Sequence, residues 1–301
     1  MEGRVVTDTT DIFAVDYGDI LQVGKKFYRV RGHEREERFG MDEPKFWVKR
    51  VEDLETGEKK IIKLSFLEEF ETEIGGVKIR CFRNPYKEAQ ILETMKDHPF
   101  FMHGEAQRDS KGNILRILDI VPGQNFFRHI HSLDIPYGKY LTDVLPDILR
   151  KLARAFEAIR VLHANKLKHG DIRNDHIIIE RNTGNYVWID FDYDYETPEN
   201  PFGLDLFGMG NVLTLAVGKG FHTAHTILQD PATYGNLKDR LDTADFSVIF
   251  KERFINLQKL YPEIPKPLND ILMHFSRRAN VFYEYAGEMI EDLDRSICLL
   301  Q

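Results

Sequence analysis

Apolar positions recur with strand-like spacing in the first part of the chain and with helical spacing in the second. Phe27 to Val30, Phe46 to Val51 and Lys60 to Phe66 carry aromatic and β-branched residues, the last two runs joined by the turn Glu55-Thr56-Gly57-Glu58. Residues 84–96 open with Asn84-Pro85 and place Ile91, Leu92 and Met95 near helical spacing, which predicts a helix. Gly104 to Asp109 and Ile114 to Val121 predict a hairpin around Ser110-Lys111-Gly112-Asn113. Pro122-Gly123 then breaks the pattern as a hinge would. Over 145–167, Ile148, Leu149, Leu152, Phe156, Ile159 and Leu162 form one stripe, and the basic residues Arg150, Lys151, Arg154 and Arg160 read as a solvated face. Further helices are expected over 205–218, 246–260, 267–279 and 281–299. The expectation is an α+β chain of two lobes. Residues 1–121 would form a five-stranded antiparallel sheet with one helix and an N-terminal extension, and 122–301 a larger helical lobe. The site is expected in the cleft between them, because ligand pockets favour such boundaries.

Composition narrows the function classes. The chain has 301 residues, enough for two modest lobes, with 42% apolar and 30% charged residues and a formal charge of −8. That charge argues against a general nucleic-acid binder or a membrane-surface protein. No apolar run approaches the ~20 residues of a membrane span, and the start MEGRVVTDTTDIF lacks the pattern of a signal peptide. Two cysteines, Cys81 and Cys298, give neither a disulfide framework nor metal-ligand spacing. A cytoplasmic protein is the expectation.

The most informative stretch is 169–192, HGDIRNDHIIIERNTGNYVWIDFD. Ile177 to Ile179 and Tyr186 to Ile189 read as two buried strands around Arg181-Asn182-Thr183-Gly184-Asn185, so a carboxylate flanks each end of one rigid unit. Phosphoryl transfer needs such a layout: Asp171 to orient a hydroxyl nucleophile, and Asp190 to hold a metal that bridges phosphates. Lys63, in Ile61-Ile62-Lys63-Leu64, alternates with apolar neighbours, so its side chain would leave the strand on the face opposite Ile62 and Leu64. Trp47 and Trp188 fall on predicted strands and are expected in the core. The pairs His129/His131 and His222/His225 read as surface or packing residues.

Taken in order, these segments resemble the protein-kinase-like superfamily over nearly the whole chain. Residues 27–64 look like the first strands of bacterial Ser/Thr kinases of eukaryotic type, and Asp119-Ile120-Val121 falls at the family's adenine-binding hinge. The resemblance implies a Lys63–Glu88 ion pair, with Glu93 as the alternative partner. It also implies nucleotide contacts at Lys63, Gly32, Gly40, Asp119, Val121 and Ile178. Asp205 in Gly203-Leu204-Asp205-Leu206-Phe207-Gly208 matches the buried aspartate that braces the catalytic loop. The implied roles are Asp171, Arg173, Lys63 and Glu88 in catalysis, and Asp190, His176 and Asp192 at the metal.

The departures are as informative. His176 stands where the family has a metal-binding asparagine, as in some bacterial sugar and lipopolysaccharide kinases; it is either a ligand or a structural histidine, and Mg²⁺ prefers oxygen. Asp175 is one residue out of register. Asp192 replaces the metal-loop glycine and, like Gly170, resembles aminoglycoside and choline kinases; it is either a second ligand or a turn carboxylate. Arg173 stands where a phosphate-facing lysine is usual, and either meets phosphate or pairs with an acidic neighbour. Between Gly32 and Gly40 lie Glu34, Glu36 and Glu37, which would repel a triphosphate unless turned outward. Only twelve residues separate Asp192 from Asp205, and no Ala-Pro-Glu follows. That gap holds the acidic and aromatic run Tyr193 to Asn200, either a wall for a cationic alcohol or a polar surface loop. The expected function is an ATP-dependent kinase with Mg²⁺ or Mn²⁺, acting on a hydroxyl acceptor, a small molecule before a protein. The alternative is a pseudokinase that binds nucleotide or a protein partner.

Overall fold

The computed structural model describes residues 3–38, 41–74 and 76–300. Its first part is built on one curled sheet. Strands β1 (Val5–Val6), β2 (Ile20–Val23), β3 (Lys26–Arg38), β4 (Met41–Asp53) and β5 (Lys59–Lys63) lie side by side in chain order. After β5 come a hairpin of β6 (Glu69–Ile74) and β7 (Val77–Arg83), then helix α1 (Pro85–Thr94). Strands β8 (Gly104–Arg108) and β9 (Ile114–Asp119) complete the sheet in the order β1-β2-β3-β4-β5-β9-β8. The sheet therefore has seven strands where five were expected. The N-terminal extension supplies the other two, because Ile20–Val23 alternates and pairs antiparallel with β3 while β1 adds to it in parallel.

Leu21, Tyr28, Val30, Val51, Ile62 and Leu64 pack together on one face of this sheet. Helix α1 begins at Pro85, and the Asn84 side chain accepts from the Lys87 N–H at 3.0 Å as its cap. Its buried Ile91 and Leu92 join the larger core.

The second part opens with β10 (Gly123–Asn125) and α2 (Phe126–Ser132). A single turn α3 (Tyr137–Lys139) passes through a π-helical stretch into α4 (Leu145–Ala164). The predicted stripe on α4 is buried and Arg150, Arg154 and Arg160 are exposed. Strands β11 (Ile177–Glu180) and β12 (Tyr186–Trp188) form the expected hairpin, with Ile177 opposite Trp188. Gly123 lies so close to β11 that a Cβ there would meet the Ile179 carbonyl oxygen at 2.1 Å, which accounts for glycine after Pro122.

Strand β13 (Tyr193–Glu196) follows, then α5 (Gly203–Gly218), α6 (Ala224–Gln229), α7 (Pro231–Tyr234), α8 (Lys266–Met273) and α9 (Ala286–Ile297). The helix expected over 246–260 is absent. Ser247 Oγ accepts from the backbone N–H groups of Ile249 and Phe250, and the Asp245 carbonyl accepts from those of Ile255 and Asn256, so donors that a helix would use are bonded elsewhere. The α+β class, with the strand-rich part first and the helical part second, is as expected. Among the described residues no helix is long and apolar enough to cross a membrane.

The β6–β7 hairpin was not anticipated. It pairs with β13, Tyr193 opposite Arg83 and Glu196 opposite Arg80, in a separate sheet of order β13-β7-β6. Ile79, Cys81 and Tyr195 form its small core. This ladder ties the segment after Asp192 to the chain just before α1.

Trp188 is fully buried and its Nε1 donates to the Ala155 carbonyl at 2.8 Å, locking β12 onto α4. Trp188→Ala is expected to cost about 3–5 kcal/mol of unfolding free energy in urea titration. A loss below about 1 kcal/mol would show that the β11–β12 hairpin is not seated through this side chain.

Candidate active site

Strand alternation sends Lys63 to the face of β5 that meets α1, and there it enters a buried chain of charges. Its Nζ lies 2.8 Å from Glu88 Oε1, 2.5 Å from Asp190 Oδ1 and 3.6 Å from Asp192 Oδ2. The other Glu88 oxygen accepts from Arg116 Nε at 3.0 Å, and Arg116 Nη1 also donates to the carbonyls of Leu64 and Ile114. Arg83 Nη1 donates to both oxygens of Asp192, at 3.0 and 2.8 Å, and Arg83 Nε donates to Glu68 at 2.8 Å. Arg116, Lys63 and Arg83 thus alternate with Glu88, Asp190 and Asp192. Burial works against the charge on Lys63, but Asp190, Asp192 and Glu88 outweigh it and raise its pKa far above the ordinary value. Burial likewise opposes ionisation of Asp190, yet Lys63, His176 and Lys45 hold its pKa well below the usual range.

The loop that carries Asp171 is fixed from below. Asp205 accepts from the N–H groups of His169 and Gly170, at 2.7 and 2.8 Å, and from His163 Nε2 at 3.0 Å. The buried Lys87 on α1 reaches across to donate to the carbonyls of Lys168, His169 and Tyr193. Gly170 has φ +86°, and a Cβ there would sit 1.7 Å from the Tyr193 carbonyl oxygen, so only glycine fits between the loop and β13. Asp190 itself has φ +63°, a conformation costly for a residue with a side chain. The fully buried Phe191 next to it packs edge-on against Phe101 and His169.

His176 sits between the two key aspartates. Its Nδ1 is 2.9 Å from the Asp171 carbonyl oxygen and 3.5 Å from Asp171 Oδ2, and its Nε2 is 3.5 Å from Asp190 Oδ2. The carbonyl can only accept, so Nδ1 carries a proton and Nε2 faces the Asp190 carboxylate. A proton or a cation between Nε2 and Oδ2 would satisfy both. Among the described residues, no group of three or more His, Cys, Asp or Glu side chains stands ready to hold a metal ion. The Asp190–His176 pair still fits a divalent cation that takes its remaining oxygens from phosphate, as Mg²⁺ commonly does.

The other expected site residues divide between two hollows. A cleft of about 310 Å³ is lined by Lys63, Asp119, Val121, Ile178 and Asp190. Gly32 is not on that wall; its φ of +135° serves a bulge in β3, and Glu34 and Arg35 face the cleft instead. Glu34 lies 3.5 Å from Arg50, which offsets its charge. Gly40 lies outside the described residues, as do the side chains of Glu36 and Glu37. Arg173 faces a second hollow, beside Asp171, and is paired with Asp175 through Nε and Nη2 at 3.1 and 2.7 Å. That pairing occupies Asp175. Asp192 is 1% exposed, with both oxygens on Arg83.

Three cations on the cleft wall, Lys45, Arg35 and Arg83, were not picked out in the sequence. Lys45 Nζ stands 3.6 Å from Asp190 Oδ2. Trp47, expected in the core, is half-buried, stacks on Phe66 at 4.3 Å and lies under the Arg83 guanidinium. The run Tyr193 to Glu196, read as a loop or cation-binding wall, is strand β13. Its acids are already engaged, Asp194 by Lys168 at 2.9 Å and Glu196 by Arg80 at 3.1 Å.

His169 Nδ1 accepts from the Asp171 N–H at 3.3 Å, and its Nε2 has no partner between Trp188 and Phe191. Burial pulls its pKa down to about 3, so the ring is neutral in the fold and protonates near pH 6.5 when unfolded. The unfolded chain binds the extra proton between those values, so stability falls as pH drops through that window. Wild-type unfolding free energy should fall more steeply than that of His169→Gln between about pH 6 and 4.5, by up to about 1.4 kcal/mol per pH unit. Denaturant titrations at each pH check this, and parallel curves would refute it.

No protein-family model and no curated protein matches the chain. Among solved structures it is similar to the crystal structure of Rad53 1-466 in complex with AMP-PNP, with a TM-score of 0.49 and 14% sequence identity over 83% of this chain. The chain spans 61% of the length of that structure.

Proposed function

We propose that the protein is an ATP-dependent phosphotransferase that moves the γ-phosphate to a hydroxyl acceptor. One observation carries the reading. Asp190, which with Lys63 lines one hollow, and Asp171, which lines the other, each stand 3.5 Å from the same buried imidazole, His176. A module that only binds nucleotide has no need of a carboxylate in a second, adjoining hollow.

In this reading the cleft takes the nucleotide, with adenine near Asp119, Val121 and Ile178 and phosphates near Lys63, Lys45, Arg35 and Arg83. Asp190 with His176 would hold a divalent cation, Mg²⁺ or Mn²⁺, which when bound supplies charge neutralisation on the phosphates. Asp192 acts through Arg83, holding that guanidinium at the cleft wall. Glu88 keeps Lys63 in place. Asp171 orients the acceptor hydroxyl and takes its proton; burial pushes its carboxyl above the ordinary pKa, which makes it a better proton acceptor. Positioning and charge neutralisation account for most of the expected rate gain.

A second reading, a nucleotide-binding module without transfer that acts through a protein partner, is favoured by the occupied Asp192 and by Glu34 on the cleft wall. Asp171→Asn decides between them. It should lower γ-phosphate turnover about 10²–10⁴-fold while leaving the thermal shift produced by ATP with Mg²⁺ or Mn²⁺ intact. Equal turnover in variant and wild type would remove the transferase reading, and no thermal shift with either metal would remove both.

A further inference from the structure

The hollow that holds Asp171 has a volume of about 570 Å³, the scale of a small-molecule pocket, and its walls are mainly apolar. Phe70 and Ile74 of β6 cover it, and Phe207, Ile249 and Phe250 form the opposite side. Its polar side chains are Glu68, Asp171, Arg173, Tyr193 and Asn211. Asn211 Oδ1 accepts from Arg253 Nη1. Arginine only donates, so that contact fixes which end of the amide is oxygen and leaves the Asn211 N–H groups for a ligand oxygen.

The hollow continues. A second one of about 320 Å³ shares Ile74, Leu204 and Phe207 with it and adds Val77, Ile79 and Phe282. Phe70, Phe250 and Phe282 remain 45%, 43% and 42% exposed, an apolar rim on both openings. Of the other carboxylates near this hollow, Glu68 on its wall is held by Arg83 and Tyr193, Asp194 by Lys168 and Glu196 by Arg80, which leaves little anionic surface there for a cationic acceptor.

We infer that the acceptor is an elongated, uncharged alcohol, apolar for most of its length, with its hydroxyl at Asp171 and its body under the β6–β7 hairpin. The inference rests on the phosphotransferase reading. In the reaction the acceptor oxygen forms a bond to the γ-phosphorus as the bond from that phosphorus to the β–γ bridging oxygen breaks. The hydroxyl proton passes to Asp171 and then to solvent, and the products are ADP and a phosphate monoester.

The test compares octan-1-ol, 4-phenylbutan-1-ol, sorbitol and a Ser/Thr peptide library as acceptors of labelled γ-phosphate. The two apolar alcohols should be preferred. Ile249→Trp, which fills the hollow, and Phe250→Glu, which charges its exposed rim, should each reduce transfer to them about tenfold or more, with ATP hydrolysis to water unchanged. A binding readout separates the two ideas: the ¹⁹F line of 8-fluorooctan-1-ol should broaden with wild type and with Asp171→Asn, and much less with Ile249→Trp. Binding of that probe without transfer to any acceptor overturns the phosphotransferase reading and leaves the ligand class of the hollow standing. Preferred transfer to sorbitol or peptide, transfer indifferent to Ile249→Trp, or absence of probe binding overturns the inference.

Discussion

The alternating chain Arg116–Glu88–Lys63–Asp190/Asp192–Arg83 is the constraint on which the site depends. Each of these charges, taken alone out of water, would carry a desolvation cost of several kcal/mol. Together they are tolerated because every carboxylate faces a cation and the spare donors of Arg116 end on backbone carbonyls. The members lie on β5, α1, β9, β7 and the loop after β12. A shift of any one element would leave an unpaired buried charge, so the network sets the relative positions of the sheet, the helix and the loop of Asp190 and Asp192 together. It is better understood as a device for specificity of arrangement than as a source of net stability.

A second set of contacts carries that arrangement to the loop of Asp171. Lys87 sits one residue before Glu88, so a single turn of α1 grips both the charge chain and the backbone of Lys168 and His169. Asp205 holds the same loop from α5, and the β7–β13 ladder holds the segment that presses on Gly170. Asp171 and Asp190 are thereby set on either side of His176 by rigid elements. Because the segment after Asp192 is a strand paired to β7, the fold has little there that is free to be ordered or released by a switch.

Much of this was legible in the chain. The hairpin between Asp171 and Asp190 announced itself because its strands are continuous apolar runs around a Gly-containing turn. The α4 stripe did so because large apolar residues at that spacing share one face of a helix but would scatter over both faces of a strand. Lys63 stood out by its alternation with Ile62 and Leu64. The β6–β7 hairpin had a signal too: Phe70, Thr72 and Ile74, then Val77, Ile79 and Cys81, alternate around Gly75-Gly76. Its many charged residues masked that period. The helix expected over 246–260 failed for the opposite reason, since its apolar residues have helical spacing while Ser247 and Asp245 divert the backbone.

The sequence by itself determined the local units: strands, the long amphipathic helix, and the two carboxylates on one hairpin. These follow from periodicity and turn chemistry, which act within a few residues. Only the tertiary structure decided which charges meet. Arg83, Arg116, Lys45 and Lys87 look like ordinary basic residues in the chain, and Asp192 like a free turn carboxylate. Their roles come from burial beside partners that are distant in sequence, such as Arg83 with Asp192, and from a low-dielectric setting that makes each pairing obligatory. The placement of Asp190 on a charged cleft and of Asp171 in a mainly apolar hollow, each 3.5 Å from His176, is likewise a property of packing, because it needs β6, α5 and the loop of Asp171 to converge on one place.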